Sequence, residues 1–389
     1  MISQACSIND RARIKWGYAL SQITDLPGDW ETARDRVRFD PHPPRHNDVL
    51  ISQVVEIGRH ARLDRVDLTK TRLFEGDLIG MAFSPRYATR QFEAIVPDSL
   101  DEIHFVCAGG VIGQVVNTPD NMKPPTLLRP LGYLTDAAGE RVNLRDYALS
   151  PMSTSTDGID IIIVVGSAMD SGKTTAAYSL VNGLARGGHT VSAAKITGTA
   201  SAKDPVILGC AGAHRVLDFT NAGFASTADL DAEELRTITR TVIAHLAVDQ
   251  PDAIVLEIAD GITQRETTML LDLLAERAGI RGVIYTCNDS LGVSAGVSRI
   301  ESFGLTPLAV SGTVTASPLS IIEAQQETSV PVLSREDLRS PLISKTLGLC
   351  GQQAGDQARS MAFTQNSSQI SNGATIENIT EQPLLKTTG

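Results

Sequence analysis

The run Ile161-Ile162-Ile163-Val164-Val165-Gly166-Ser167-Ala168-Met169-Asp170-Ser171-Gly172-Lys173-Thr174-Thr175 reads as a buried strand, a tight loop and the start of a helix. A loop of this kind turns backbone N–H groups toward phosphate oxygens. Lys173 adds a positive charge, and the Thr174 hydroxyl is placed to join a Mg²⁺ shell. Gly166, Asp170, Ser171, Gly172, Lys173, Thr174 and Thr175 are therefore the expected phosphate-binding residues. The usual pattern has a glycine with four residues between it and the Gly-Lys pair. Here that position is Ser167, and Gly166 stands one residue earlier. The competing reading is a glycine turn that merely joins strand to helix; strand, motif and helix occurring together favour the phosphate loop.

Downstream of this run, apolar stretches of five to seven residues alternate with helical segments, which is the pattern of a mainly parallel sheet covered on both faces. Strands are expected at 159–165, 190–196, 253–258, 283–287 and 308–310, and helices at 174–186, 232–248, 265–278 and 293–302. Right-handed crossovers place all strand C-terminal ends on one side, where a site belongs. Upstream, 39–150 holds short apolar stretches with bends at Gly58, Gly76 and Gly109-Gly110, expected as a small β-rich domain, either barrel or sandwich. Its strands are expected at 49–55, 62–68, 72–74, 78–83, 92–96, 104–107 and 111–116. Residues 1–38 carry no assignment, 151–158 read as a linker with a boundary near 155, 159–345 form the α/β domain, and the polar stretch 346–389 reads as a disordered tail.

The 389-residue chain, 42% hydrophobic, is long enough for two domains. A formal net charge of −11 argues against nucleic acid as a general partner. Cys6, Cys107, Cys210, Cys287 and Cys350 are widely spaced, so neither a zinc site nor a disulfide framework is expected. No long uncharged apolar run is present, and Asp10, Arg11 and Arg13 stand where a signal peptide needs its apolar stretch, so the expected location is cytoplasmic, away from the membrane.

A phosphate loop needs a further acidic group to hold or orient Mg²⁺, normally from a neighbouring strand end. Glu257 ends the apolar run 253–257 and is the expected ligand, with Asp260 either a second carboxylate or a turn residue ahead of Gly261. Lys195 ends another strand, before Thr197-Gly198-Thr199, and faces either an anionic substrate or solvent; Asp204 approaches the metal or starts the turn at Pro205. Asn288-Asp289 stands where guanine-specific proteins read a base, but the full Asn-Lys-x-Asp pattern is missing, which favours ATP over GTP. Residues 216–227 form either a substrate lid or a long crossover.

The spacing from Gly166 to Thr174, with five residues before the Gly-Lys-Thr, resembles that of dethiobiotin synthetase and its relatives in the SIMIBI class of P-loop NTPases. Lys195 to Thr199 looks like a variant of that family's Lys-Pro-Val motif, and Glu257 with Ile258 stands in place of its Glu-Gly. The resemblance covers about 159–315 and implies Lys173 and Thr174 at phosphate and metal, Asp204 and Glu257 as further Mg²⁺ ligands, and Lys195 near substrate. The family's Gly-Thr-Asp opening is here Gly166-Ser167-Ala168, so its substrate-contacting aspartate is absent. The uncharacterised bacterial DUF1611 group also couples an N-terminal domain to such a loop, and the molybdopterin-guanine dinucleotide adaptors share the Ser-Gly-Lys-Thr-Thr ending.

Two functions are compatible with these residues. One is a Mg²⁺- and ATP-dependent enzyme, a kinase or ligase, that phosphorylates or activates a small anionic metabolite with Lys173 and Lys195 as catalytic residues. The other is a nucleotide-dependent switch or adaptor with slow hydrolysis, whose N-terminal β domain binds a partner. The resemblance further implies a homodimer.

Overall fold

The computed structural model describes residues 8–349. Most of the expected tail lies outside them; at its start, Thr346 ends the short helix Ile343–Thr346 and Leu347 is buried.

Ten strands and one helical turn come first: β1 (Ile14–Trp16), α1 (Trp30–Ala33), β2 (Val37–Arg38), β3 (Val49–Glu56), β4 (Arg62–Asp64), β5 (Lys70–Arg72), β6 (Leu78–Phe83), β7 (Glu93–Ile95), β8 (Ile103–Cys107), β9 (Val111–Asn117) and β10 (Thr126–Leu134). Strands β6, β3, β10, β8 and β9 pair in that order, and β6 pairs again with β9 through Ala82 with Val111 and Phe83 with Ile112. That last pairing closes a small barrel and leaves those strands few free edges. Alternation sorts the side chains: Ile79, Met81 and Phe83 fill the interior with Phe105 and Tyr133, while Leu78 and Ala82 face a second core outside. The prolines at 124, 125 and 130, which suggest a break in regular structure, instead flank or interrupt β10. Pro130 falls at a register shift, where a missing N–H is tolerated. The N-terminal segment left unassigned supplies β1, parallel to β6, and the buried turn Tyr18–Leu20.

The second sheet comprises β11 (Asp160–Gly166), β12 (Val191–Lys195), β13 (Arg215–Asp218), β14 (Ala253–Glu257), β15 (Ile280–Thr286) and β16 (Pro307–Ser311). All are parallel, in the order β13-β12-β14-β11-β15-β16. Crossovers run through α2 (Lys173–Arg186), α3 (Lys203–Cys210), α4 (Ala232–Leu246), α5 (Arg265–Ala275) and α6 (Leu291–Ser302), with α7 (Pro318–Gln326) after β16. This is an α/β layer preceded by a small mostly-β region, the arrangement expected from the sequence. Burial on both faces explains why β11 is uninterruptedly apolar: Ile162 and Val164 meet α2, while Ile161, Ile163 and Val165 face the opposite layer. Helix α4 begins where Asp231 accepts the N–H groups of Glu233 and Glu234, and Glu234 returns a bond to the Asp231 N–H.

The barrel and the parallel sheet share a core. Ile14, Trp16, Ile51 and Ala82 belong to the same apolar cluster as Ile163, Ile196 and Leu256. Residues 151–156, around the expected boundary, form neither helix nor strand, but apolar packing is continuous across it. Polar contacts add to the junction: Tyr18 Oη donates to Asp218 Oδ2 at 2.8 Å, and Ala225 N donates to Asn47 Oδ1 at 3.0 Å. Residues 216–227 thus serve as strand and dock, with Phe219 and Phe224 buried and Arg145 stacked 4.3 Å above the Phe224 ring. Among the described residues no helix is long and apolar enough to cross a membrane.

Two histidines make this assembly acid-sensitive. His46, edge-on to Phe224 at the junction, is lowered to about 4 by desolvation, and His60 inside the barrel wall is lowered to about 3 by the same cause. An unfolded histidine takes its proton near 6.5, so the unfolded chain binds more protons across the window from about 6.5 down to about 4. The stability that these groups confer is present above 6.5 and drains as pH falls through that window. Urea unfolding at a series of pH values is expected to show this decline, and His46→Gln is expected to flatten it; an unchanged slope in the variant contradicts the assignment.

Candidate functional site

The strand ends of the parallel sheet gather the residues that the sequence singles out. Gly166 ends β11, and a Cβ there would lie 2.1 Å from Ser171 Oγ and 2.7 Å from Thr286 Oγ1, so only glycine lets the loop fold back this tightly. Ser167 is different: its N–H donates to Thr286 O at 2.8 Å, which keeps it on the ladder with β15. The loop therefore starts beyond the ladder, and a side chain at 167 costs nothing. This accounts physically for the displaced glycine. At the other end, Gly172 has φ +98° and Asp170 φ +64°, the left-handed turn that aims the first N–H groups of α2 back into the loop. Ser171 is locked from two sides, its Oγ 2.8 Å from Thr286 Oγ1 and its carbonyl accepting Thr313 N at 3.1 Å.

Lys173 is buried, and its Nζ donates to Ala168 O at 2.7 Å, a neutral carbonyl of its own loop. Burial pushes its pKa down, with Glu257 and Asp260 opposing. Thr174 Oγ1 donates to Glu257 Oε1 at 2.6 Å, which ties α2 to β14. Register sets the neighbours of Glu257: Val164 lies opposite it on β11 and Lys195 on β12, and Asp218 of β13 lies opposite Lys195. Lys195 Nζ contacts Asp204 Oδ2 at 2.7 Å, in the first turn of α3. Burial alone would discharge Lys195, but Asp204 and Glu257 overrule it and hold it protonated. Lys195 therefore faces the site rather than solvent, and its carboxylate partner is Asp204.

Glu257 is 2% exposed, and its Oε2 is buried with no hydrogen-bond partner among the described residues. Desolvation raises its pKa, against the pull of Lys195. Such an orphaned carboxylate oxygen, beside a threonine hydroxyl at a phosphate loop, fits a hard divalent cation. No group of three or more His, Cys, Asp or Glu among the described residues forms a metal site by itself. A cation here would thus draw its remaining ligands from phosphate and water, the usual habit of Mg²⁺.

These groups line a cavity of about 470 Å³ with Lys173, Thr174, Lys195, Glu257 and Asp260 on one side and Arg86, Tyr87, Ala88 and Cys107 of the barrel on the other. Asp260 is both turn residue and lining: its φ is +62°, and burial raises its pKa despite Lys173 and Lys195. Sequence reasoning missed Arg86, Tyr87, Lys203 and Thr313, all cavity-lining. A Ser-Pro-Arg-Tyr loop in a β domain carries no phosphate signature, so no local signal marks Arg86. Asn288 and Asp289 do not enter the cavity: Asn288 Oδ1 accepts Thr313 Oγ1 at 2.8 Å, and Asp289 Oδ1 accepts Gly292 N at 3.1 Å at the start of α6.

No protein-family model matches the chain, and no curated protein does. Among solved structures, the signal recognition particle receptor FtsY from Elizabethkingia anophelis in complex with GDP is 16% identical over 48% of this chain and 60% of its own, with TM-score 0.33. The 54 kDa signal recognition particle protein from Aeropyrum pernix K1 in complex with GDP gives 16% over 58% and 54%, TM-score 0.35. The kinase domain of the Escherichia coli tyrosine kinase ETK gives 15% over 41% and 69%, TM-score 0.31. Less than two thirds of the first of these is spanned, and overlaps this partial carry no weight beside the strand order and loop geometry above.

Glu257→Gln keeps an acceptor for Thr174 and removes a buried charge with one oxygen unpaired. A carboxyl whose folded pKa is raised confers stability below about pH 4.3 that is lost as pH rises through the folded value. The ligand-free variant is therefore expected to unfold at equal or higher denaturant than the parent at pH 7 to 8, with the gap narrowing toward pH 4. A variant markedly less stable at pH 8 refutes this account of the charge.

Proposed function

We propose that this protein binds a nucleoside triphosphate with Mg²⁺ on the loop 166–174 and transfers or activates phosphate on a small anionic acceptor in the cavity beneath the barrel. The observation that carries the reading is Lys173, buried at a helix N-terminus with no carboxylate in contact, beside the orphaned Oε2 of Glu257. Both charges lack what a metal-bound phosphate would supply. Thr174 and Glu257 would hold Mg²⁺, which neutralises phosphate charge when bound; Asp204, engaged by Lys195, is the weaker candidate. Lys173 binds and orients phosphate through charge, Lys195 adds a second fixed cation, and the barrel wall borders the space between. The spacing of Gly166 and Lys173 supports a dethiobiotin-synthetase-like core of the SIMIBI class.

A second cavity of about 360 Å³ continues from Gly172, Thr175 and Thr313 to Gly312, Thr315 and Arg335, on the far side of the loop, with room for a nucleoside. ATP is the preferred ligand because the guanine-reading Asn-Lys-x-Asp pattern is missing and Asn288 and Asp289 each have one oxygen engaged in an internal bond. The enzyme reading is favoured over a switch or adaptor because barrel residues line the cavity instead of facing away from it.

Thermal shift with Mg·ATP and Mg·GTP tests this. Ligand at a hundred times its Kd stabilises by about 2.7 kcal/mol, a rise of several degrees in melting temperature. Lys173→Ala is expected to lower nucleotide affinity by about tenfold to a hundredfold, as loss of one charge-assisted contact implies. If neither nucleotide moves the wild-type melting temperature, the reading fails.

A further inference from the structure

Arg141 and Arg86 both keep their guanidinium largely out of water, but only Arg141 is neutralised by carboxylates. Arg141, whose side chain is 7% exposed, meets Asp40 at 2.7 Å and Asp48 at 3.0 Å. Arg86, in the loop after β6, is 6% exposed and has no carboxylate within ion-pair distance among the described residues. Its hydrogen bonds end on neutral acceptors: Nη1 donates to Val106 O and to His60 Nε2 at 3.3 Å, and Nη2 donates to Gln91 Oε1 at 2.7 Å. Nε is buried with no partner at all. A guanidinium can only donate, so His60 Nε2 accepts and its proton sits on Nδ1. Burial lowers His60 to about 3, so the ring stays neutral and adds no second charge at neutral pH.

The cradle is rigid as well as neutral. The His60 ring packs against Phe92 at 5.8 Å and Phe105 at 5.6 Å, so Arg86 is oriented by a packed aromatic wall. A buried cation without a counter-ion is strongly unfavourable, and a fold that holds one at the rim of a cavity is complete only with an anion there. The same cavity is lined by Lys173, Lys195 and Lys203, in a chain whose net charge is −11. Of its carboxylates, Asp170 pairs with Arg90 at 3.2 Å, Glu257 is bonded to Thr174, and Asp260 acts on Arg86 only from beyond ion-pair distance.

We propose that Arg86 is a ligand-binding residue, a barrel-borne guanidinium that contacts an oxyanion held across the cavity from Lys173. A guanidinium suits phosphate or carboxylate, and the Nη2 hydrogen not given to Gln91 is the donor left for one. The anion is either the terminal phosphate of the nucleotide or the acid group of the acceptor. The inference deepens the proposed function by giving the barrel a part in the site, and it stands on the uncompensated charge even where the nucleotide is in doubt.

The test uses the full chain, with Arg86→Gln and Arg86→Lys, and measures binding of Mg·ATP, Mg·ADP, inorganic phosphate, and citrate in the presence of Mg·ATP. If Arg86 holds the terminal phosphate, the Gln variant loses about tenfold to a hundredfold in Mg·ATP affinity while Mg·ADP is unchanged. If it holds the acceptor's acid group, both nucleotides bind as before and citrate binding drops by a similar factor. Arg86→Lys, which keeps charge without the fork, is expected to lose a smaller factor and carries the comparison if the Gln variant does not fold. Equal affinity of wild type and variants for every probe overturns the proposal. A wild type that binds no nucleotide defeats the proposed function alone: phosphate or citrate binding that falls in Arg86→Gln still supports Arg86, and unchanged binding removes it.

Discussion

The register of β14 between β11 and β12 is the constraint on which the site depends. Pairing Val164 with Glu257 and Glu257 with Lys195 puts a carboxylate and an ammonium side by side at the C-terminal edge, one strand from the phosphate loop. Side chains alternate faces along a strand, so a slip of one residue would send Glu257 to the other face and break its bond to Thr174. The apolar runs of both strands are buried on two faces, and that burial holds the register. Packing energy far from the chemistry thereby determines which charges meet.

Those charges are held out of water with incomplete neutralisation. Lys195 has Asp204, but Lys173 rests on a carbonyl, Glu257 keeps one bare oxygen, and Arg86 has neutral acceptors only. Desolvation dominates the shifts at Lys173, Glu257 and Asp260, each toward the neutral form. Fixed charges held out of water in this way are pre-organised, so they interact with an opposite charge without first being reoriented. The barrel contributes one wall of the space and, with Arg86, a further cation at its edge.

Much of the α/β region is legible in its residues. Every parallel strand expected there appears within a few residues of its place, because doubly buried strands leave continuous apolar runs. Omitted are β13, whose four residues Arg215–Asp218 are too polar to show, and α3, which opens with Lys203-Asp204-Pro205 and looks like a turn. In the barrel, β10 is hidden by prolines that a bulge tolerates. The segment 216–227 is ambiguous in sequence between lid and crossover, because two aromatics in a polar loop have no meaning without the surface that receives them; in the fold Phe219 and Phe224 are buried at the junction.

The sequence by itself determined the glycine-bearing loop, the strand that feeds it and the carboxylate at the end of the next apolar run, because each depends on contacts within a few residues or on a period repeated along the chain. The sequence also showed the displaced glycine, but the ladder bond from Ser167 to Thr286 that explains it joins residues far apart in the chain. Only the tertiary structure decided that Lys195 pairs with Asp204, that the barrel lies over the loop, and that Arg86 reaches the cavity uncompensated. Those facts join residues far apart in the chain, and an unpaired buried charge has no local pattern: it is defined by the partners that the fold withholds.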